Sequence, residues 1–211
     1  MEKSGGKTAF LLKKIHSISG VVPLGFFLLE HIWTNAHIIN DNISFELAVA
    51  TLQNMPLLLF LEICFIWIPI LYHGTYGMYI VFTGRPNVGQ YSYLRNWLYL
   101  LQRITGVLAF AFIIYHTVTM RFIVKTTTAE GVTAQLGSTL IVAVYVIGAT
   151  ATIFHFTNGL WNIFIKWGIT IGPRTQRLSL CLFAFMGIAL LAVTLLALFS
   201  FLPMEKLPLG T

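Results

Sequence analysis

Five apolar runs dominate this chain, and each is long enough to cross a lipid bilayer. A helix rising 1.5 Å per residue needs about 20 consecutive apolar residues to span the hydrocarbon. The runs extend from about Ile15 to His37, Pro56 to Phe82, Trp97 to Phe122, Thr139 to Trp167 and Leu178 to Leu202. Transmembrane strands alternate in polarity over about ten residues, whereas these runs are apolar on nearly every face for far longer. The sequence therefore predicts an all-α integral membrane protein, a bundle of five transmembrane helices. Composition excludes the water-soluble alternative. Only 9% of the residues are charged and 57% are hydrophobic, against about 25% charged in an ordinary soluble domain. A mean hydropathy of +0.81 leaves too few polar groups to cover a wetted surface.

The joints between the runs are short and carry turn residues: Gly84, Arg85, Pro86 and Asn87 after the second run, and Gly172, Pro173 and Arg174 before the fifth. No linker, repeat or low-complexity tract divides the chain, which reads as one domain over residues 1–211. Lys13 and Lys14 ahead of the first run have the look of a secretory signal. That run is long and carries Glu30 and His31 near its end, so it reads as a retained helix. A net charge of +6 would suggest a nucleic-acid partner in a soluble protein; here the basic residues lie between apolar runs, so nucleic acid is set aside and they read as topology signals. One side holds Lys3, Lys7, Lys13, Lys14, Arg85, Arg95, Arg103, Lys166, Arg174 and Arg177, and the other only Arg121, Lys125 and Lys206. That bias puts the N-terminus in the cytoplasm and, after five crossings, the C-terminus outside. Cys64 and Cys181 both lie in apolar runs, too few for a disulfide framework or a cysteine-rich metal site.

Histidine is where chemistry shows. His31, His73, His116 and His155 fall one on each of the first four runs. An imidazole in hydrocarbon is costly unless it pairs, faces a bundle interior or binds a metal. One such residue is explained by an interhelical hydrogen bond; four on four helices call for a common purpose. Helices one and three run outward, and His31 and His116 lie about five and six residues past their midpoints, in the outer half. Helices two and four run inward, and His73 and His155 lie about four and two residues past theirs, in the inner half. The four make two level pairs, separated along the membrane normal by on the order of 12 Å.

Two axial imidazoles on opposite faces of a porphyrin must come from different helices at one depth, and this arrangement supplies that twice. Zinc wants three or four ligands converging on one point. A proton relay would thread acids and histidines across the bilayer, yet the two carboxylates inside the runs, Glu30 and Glu62, both fall in the outer half. Two stacked haems fit best. Gly20, Gly25, Gly77, Gly106, Gly148 and Gly159 on these helices either admit a flat macrocycle or serve ordinary helix packing. His37 reads as an interfacial or loop histidine, and Trp97, Trp161 and Trp167 as interface anchors.

Longer strings then become recognisable: KKIHSISGVVPLGFFLLEH, IPILYHGTYGMYIVFTGRPNVGQYSYLRNWLYLLQRITG, the IIYH of the third run, and IFHFTNGLWNIFIKWGITIGPRTQR. On these, nearly the whole chain resembles the five-helix dihaem cytochrome b that anchors bacterial succinate:menaquinone oxidoreductases (succinate dehydrogenases) and the related quinol:fumarate reductases to the membrane. The resemblance implies that His31, His73, His116 and His155 are the axial ligands of two b haems, the set that depth also selected. It implies that His16, Ser17 and Lys166 lie near the propionates of the inner haem; Arg95 and Arg103 lie at a similar level, Arg95 reading as a topology charge or partner contact. It further implies a flavoprotein and an iron-sulfur subunit docked on the cytoplasmic face of a bacterial cytoplasmic membrane, with lipid around the chain. FAD and the clusters would belong to those subunits, since this chain has no dinucleotide fingerprint and no clustered cysteines. Electrons would pass through the inner and then the outer haem to menaquinone.

Two haems stacked across the bilayer would be an unnecessary wire if the quinone bound beside the cytoplasmic clusters, which places its reduction on the outer side. Glu62, and second Glu30, are then the carboxylates for the proton step; their plainer roles are a hydrogen bond to a neighbouring helix for Glu62 and reach to water for Glu30. A branch of the family has a glutamate two residues before the fourth histidine, where this chain has Ile153. Three alternatives stay open: a quinol:fumarate reductase running in reverse, a dihaem cytochrome b of another membrane oxidoreductase, and a histidine-bearing transporter without a haem spectrum.

Overall fold

The computed structural model describes residues 3–125 and 127–202. Lys206, counted above among the outer charges, lies outside the described residues. The helices are α1 (Lys3–Val21), α2 (Pro23–Ala36), α3 (Asn42–Gln53), α4 (Leu58–Glu62), α5 (Ile68–Thr83), α6 (Leu94–Thr117), α7 (Ala129–Gln135), α8 (Thr139–Lys166) and α9 (Pro173–Ser200). Among the described residues there is no strand. Five continuous stretches are long and apolar enough to cross a membrane: 6–39, 58–83, 94–124, 139–166 and 173–200. The chain is a multi-pass membrane protein of five helical spans, as its hydropathy requires.

The span ends differ from the apolar runs where helix outlasts hydrophobicity. α1 continues N-terminally through Lys7, Lys13 and Lys14, because a helix needs only hydrogen-bonded backbone and can project its last turns out of the hydrocarbon. Pro173 opens α9 instead of separating two helices; a proline at the first helical position loses a backbone donor that would have no intrahelical partner.

Two interior prolines shape the bundle. Pro23 offers no N–H to the carbonyl of Ser19, so α1 and α2 meet at a break at Val22, bridged by Phe26 N–H on the Val22 carbonyl at 3.3 Å. In the second span the residues before Pro69 widen into a π-helical turn, Ile63–Trp67, with Ile68 N–H reaching the Ile63 carbonyl five residues back. A second π-helical segment, Val118–Val124, ends the third span at Lys125, whose φ of 60° turns the chain out of the helix. Glu62 and Arg121 lie at these two irregular stretches and form an ion pair at 2.8 Å.

α8 is the central element, packed between α6 and α9. The outward surface of the spans is mostly apolar, for example Phe26, Phe82, Leu178 and Ile188 at 69% exposure or more, as lipid-facing residues are. A buried apolar cluster sits at the end of the bundle away from the N-terminus: Ile38, Phe45, Ala129, Leu136, Ala197, Leu198 and Phe201. It is built partly by α3 and α7, two helices that hydropathy alone reads as plain connections. Each begins on a side-chain cap, Asp41 accepting from Ser44 N–H at 2.6 Å and Thr128 from Gly131 N–H at 3.1 Å. The Ser44 bonds hold the exposed Asp41 carboxyl below its ordinary range. Phe45 stands edge-on to Phe201, ring centres 5.0 Å apart, so α3 closes the end of the bundle away from the N-terminus.

Candidate functional site: two levels of paired histidines

At the level that the charge bias predicts to be inner, His73 on α5 faces His155 on α8, ring centres 6.1 Å apart and planes at 86°. At the outer level, His31 on α2 faces His116 on α6, at 5.7 Å and 74°. In an imidazole complex with metal–nitrogen bonds of about 2 Å, each ring centre lies about 3 Å from the metal, so two rings across one iron are about 6 Å apart. Both pairs have that separation. Among the described residues no three of His, Cys, Asp or Glu gather at one point; these histidines meet in twos.

The ring nitrogens add a second indication. His73 Nδ1 lies 3.0 Å from the His16 carbonyl, and His155 Nδ1 lies 3.0 Å from the Gln102 carbonyl. A carbonyl only accepts, so Nδ1 carries the proton in both rings and Nε2 presents its lone pair, the tautomer a metal-bound histidine needs. His116 Nδ1 lies 3.3 Å from the Tyr145 hydroxyl. His31 sits beside Asn35, one turn on, whose amide donates to the His31 carbonyl at 2.8 Å and lies 3.4 Å from Nε2. The donor set and its pairing suit bis-imidazole ligation of haem iron at both levels, and at His73 and His155 the tautomer does so as well.

The groups that orient the inner pair come from the two spans that carry the outer pair. α1 supplies the carbonyl of His16 to His73, and the same span continues to His31. α6 supplies the carbonyl of Gln102 to His155 and also carries His116. Gln102 is itself fixed: its amide donates to the His155 carbonyl at 3.0 Å, and Asn158 donates to its side-chain oxygen at 2.6 Å. Sequence reasoning passes over Gln102, Asn158, Tyr145 and Ser19, whose hydroxyl donates to the His16 carbonyl at 2.9 Å and lies 3.3 Å from His73 Nδ1. Gln102 and Asn158, polar side chains inside apolar runs, are the signal that could have found this network, whereas a backbone carbonyl leaves none.

The glycines accommodate side chains. A Cβ on Gly20 would meet the His73 ring, one on Gly106 the His155 ring, and one on Gly77 the His16 ring; Gly25 and Gly148 face Phe156 and Phe112, and Gly159 faces Gln102. Close approach of backbone to a ring, or at Gly159 to an amide, is what these positions require.

The other predicted residues take distinct places. His16 stacks on His73, ring centres 4.1 Å apart, while Ser17 donates to the Lys13 carbonyl of its own helix at 3.1 Å. Lys166 ends α8, its carbonyl taking the Lys14 ammonium at 3.4 Å. Glu30 accepts from Thr34 at 2.5 Å, and Glu62 is held by Arg121, an ion pair that hydropathy could not show. Arg95 bonds Gln176 and lies over Trp161; Arg103 lies over Tyr99. Trp161 corrects the expectation of an interface anchor: it is 5% exposed, and its indole N–H donates to the Gln176 carbonyl at 2.9 Å, tying α8 to α9. Trp97 and Trp167 are exposed near span ends, and His37 lies in a short 3-10 turn beyond α2. Ile153 is buried.

The family described as succinate dehydrogenase/fumarate reductase transmembrane subunit matches residues 83–196, a stretch that includes His116 and His155. The succinate dehydrogenase cytochrome b558 subunit of Bacillus subtilis (strain 168) is 38% identical over 199 residues, covering 93% of this chain and 98% of that protein. That alignment extends the likeness across both histidine levels. With five spans, paired intramembrane histidines and these matches together, the chain belongs to the succinate dehydrogenase/fumarate reductase transmembrane-subunit family.

Proposed function

We propose that the chain anchors the soluble subunits of a succinate:menaquinone oxidoreductase to the membrane and holds two b haems, one at each histidine level. The observation that carries this reading is the separation of the paired rings, 6.1 and 5.7 Å, which is the spacing of two imidazoles across one iron. His73 and His155 hold the inner iron; His31 and His116 hold the outer. Two b haems bound there supply one-electron carriers that bridge the depth between the partner's clusters and a quinone. Held by two imidazoles each, such haems would be suited to electron transfer and closed to oxygen. The residues position the group and tune its electron affinity, which is the protein's share of cofactor chemistry.

His16, Ser17 and Lys166, at the inner end, are the partners we assign to the inner propionates. The flavoprotein with FAD and the subunit with iron-sulfur clusters dock on the same inner end. Its charge favours this: the described acidic residues Glu30, Asp41, Glu46, Glu62 and Glu130 all belong to the outer half, and among the described residues the inner end carries only cations. Menaquinone is reduced near the outer pair. Glu62 is the first choice and Glu30 the second for the proton that accompanies the electron. The Arg121 guanidinium holds the Glu62 side chain in one orientation, so a proton acceptor there has a fixed place.

Substitution level by level tests the ligand set. In the purified complex, His73→Ala should remove the inner haem signal from a reduced-minus-oxidised spectrum while the outer persists, and His31→Ala should do the reverse. Unchanged haem content in either variant would overturn the assignment.

A further inference from the structure

We infer that Tyr145 is a positioning residue for the outer pair, its phenol oxygen accepting the Nδ1 proton of His116 and so setting the electron affinity of the outer haem. The inference rests on the two-haem reading above. The two inner histidines give their Nδ1 protons to backbone carbonyls, at 3.0 Å each. His73 Nδ1 also has the Ser19 hydroxyl at 3.3 Å, whereas at His116 the Nδ1 partner among the described residues is a side chain with no carbonyl beside it, the Tyr145 hydroxyl at 3.3 Å. Tyr145 lies on α8 ten residues before His155, about 15 Å along the helix toward the outer face. One helix thus carries an inner histidine and the orienting group of an outer one.

The phenol ring is fixed from several sides. It stands edge-on to His116 with ring centres 5.6 Å apart, to Phe112 at 5.4 Å and to Tyr115 at 6.2 Å. A phenylalanine would fill this aromatic cluster equally well, so the hydroxyl is the part that packing does not require. An acceptor on Nδ1 gives the imidazole anionic character, raises its basicity and favours the oxidised iron. A phenol oxygen is a weaker acceptor than an amide carbonyl, so the two levels differ in this bond, and the bond to Tyr145 is open to change by a side-chain substitution.

The test is a potentiometric titration of the purified complex carrying Tyr145→Phe, followed optically at both haems. At fixed ambient potential the reduced-to-oxidised ratio of the outer haem should rise about tenfold, which for a one-electron couple is about 59 mV, while the inner haem keeps its potential. Tyr145→Gln, which retains an acceptor, should move back toward the parent value. Loss of the outer haem alone in Tyr145→Phe, restored in Tyr145→Gln, also supports the assignment. An unshifted outer potential overturns it, as do an equal shift at both haems and loss of both haems in both variants. Haem counting on the unsubstituted complex separates this from the reading beneath it: fewer than two haems per chain there defeats the two-haem reading itself.

Discussion

Gly106→Ala perturbs the inner level with a single added carbon, and its consequence can be worked from distances. A Cβ at Gly106 would lie 2.8 Å from Cε1 and 3.1 Å from Nδ1 of His155. Carbon atoms in contact prefer about 3.5–4.0 Å, so the imidazole must yield. It cannot rotate freely, because Nδ1 is bonded to the Gln102 carbonyl, and Gln102 is fixed by Asn158. Giving up that bond leaves a buried donor unmatched, at a cost of about 1–3 kcal/mol, or roughly five- to 150-fold in occupancy of the ligating geometry. The backbone effect has the opposite sign: glycine to alanine inside a helix stabilises by about 1 kcal/mol. The fold should therefore survive while the inner site suffers. The assay is haem content and the reduced-minus-oxidised spectrum of the complex, with Gly89→Ala as control, since a Cβ there meets nothing within 4 Å. The inner haem should fall or shift while the outer is retained. An unaltered inner haem in Gly106→Ala would refute the claim that ring position at His155 depends on this close approach.

Three further outcomes follow from other parts of the structure. Glu62→Gln should leave haem content intact and slow quinone reduction, because it removes a titratable proton acceptor while keeping the side chain's shape and an oxygen that accepts from Arg121; normal turnover would remove Glu62 from the proton step. Phe45→Ala should destabilise the outer cap by about 3–5 kcal/mol, read as a lower unfolding temperature in detergent with the inner haem spectrum unchanged before melting. Asp41, depressed by its bonds to Ser44, contributes its cap above the unfolded carboxylate range and loses it as pH falls through its lower folded value. Amide exchange in α3 should therefore quicken on acidification once the intrinsic pH dependence of exchange is removed, and Asp41→Asn should flatten that dependence.

The spans were legible because lipid leaves a chain few options: a run of some 20 apolar residues must hydrogen-bond to itself. The depth of each histidine could be counted from the same runs, and the rings of His31 and His116, and of His73 and His155, do meet in the structure. Their surroundings were not legible. The groups that orient His73 and His155 are carbonyls of His16 and Gln102, and a carbonyl belongs to every residue. α3 and α7 escape notice because they are short and bury one side against other outer-end segments, so hydropathy averages them into loops. Trp161 fits a membrane interface and a buried helix contact equally by composition; only the Gln176 carbonyl beside it decides. Arg121 and Glu62, 59 positions apart, become a pair only once the second and third spans are placed side by side.

The most direct test of the central claim is the number of haems bound per chain in the purified complex, measured by pyridine haemochrome against quantified protein. Two levels of paired histidines predict two b haems per chain, both low-spin. A ratio of one, or none, would contradict the assignment of both histidine pairs as axial ligands.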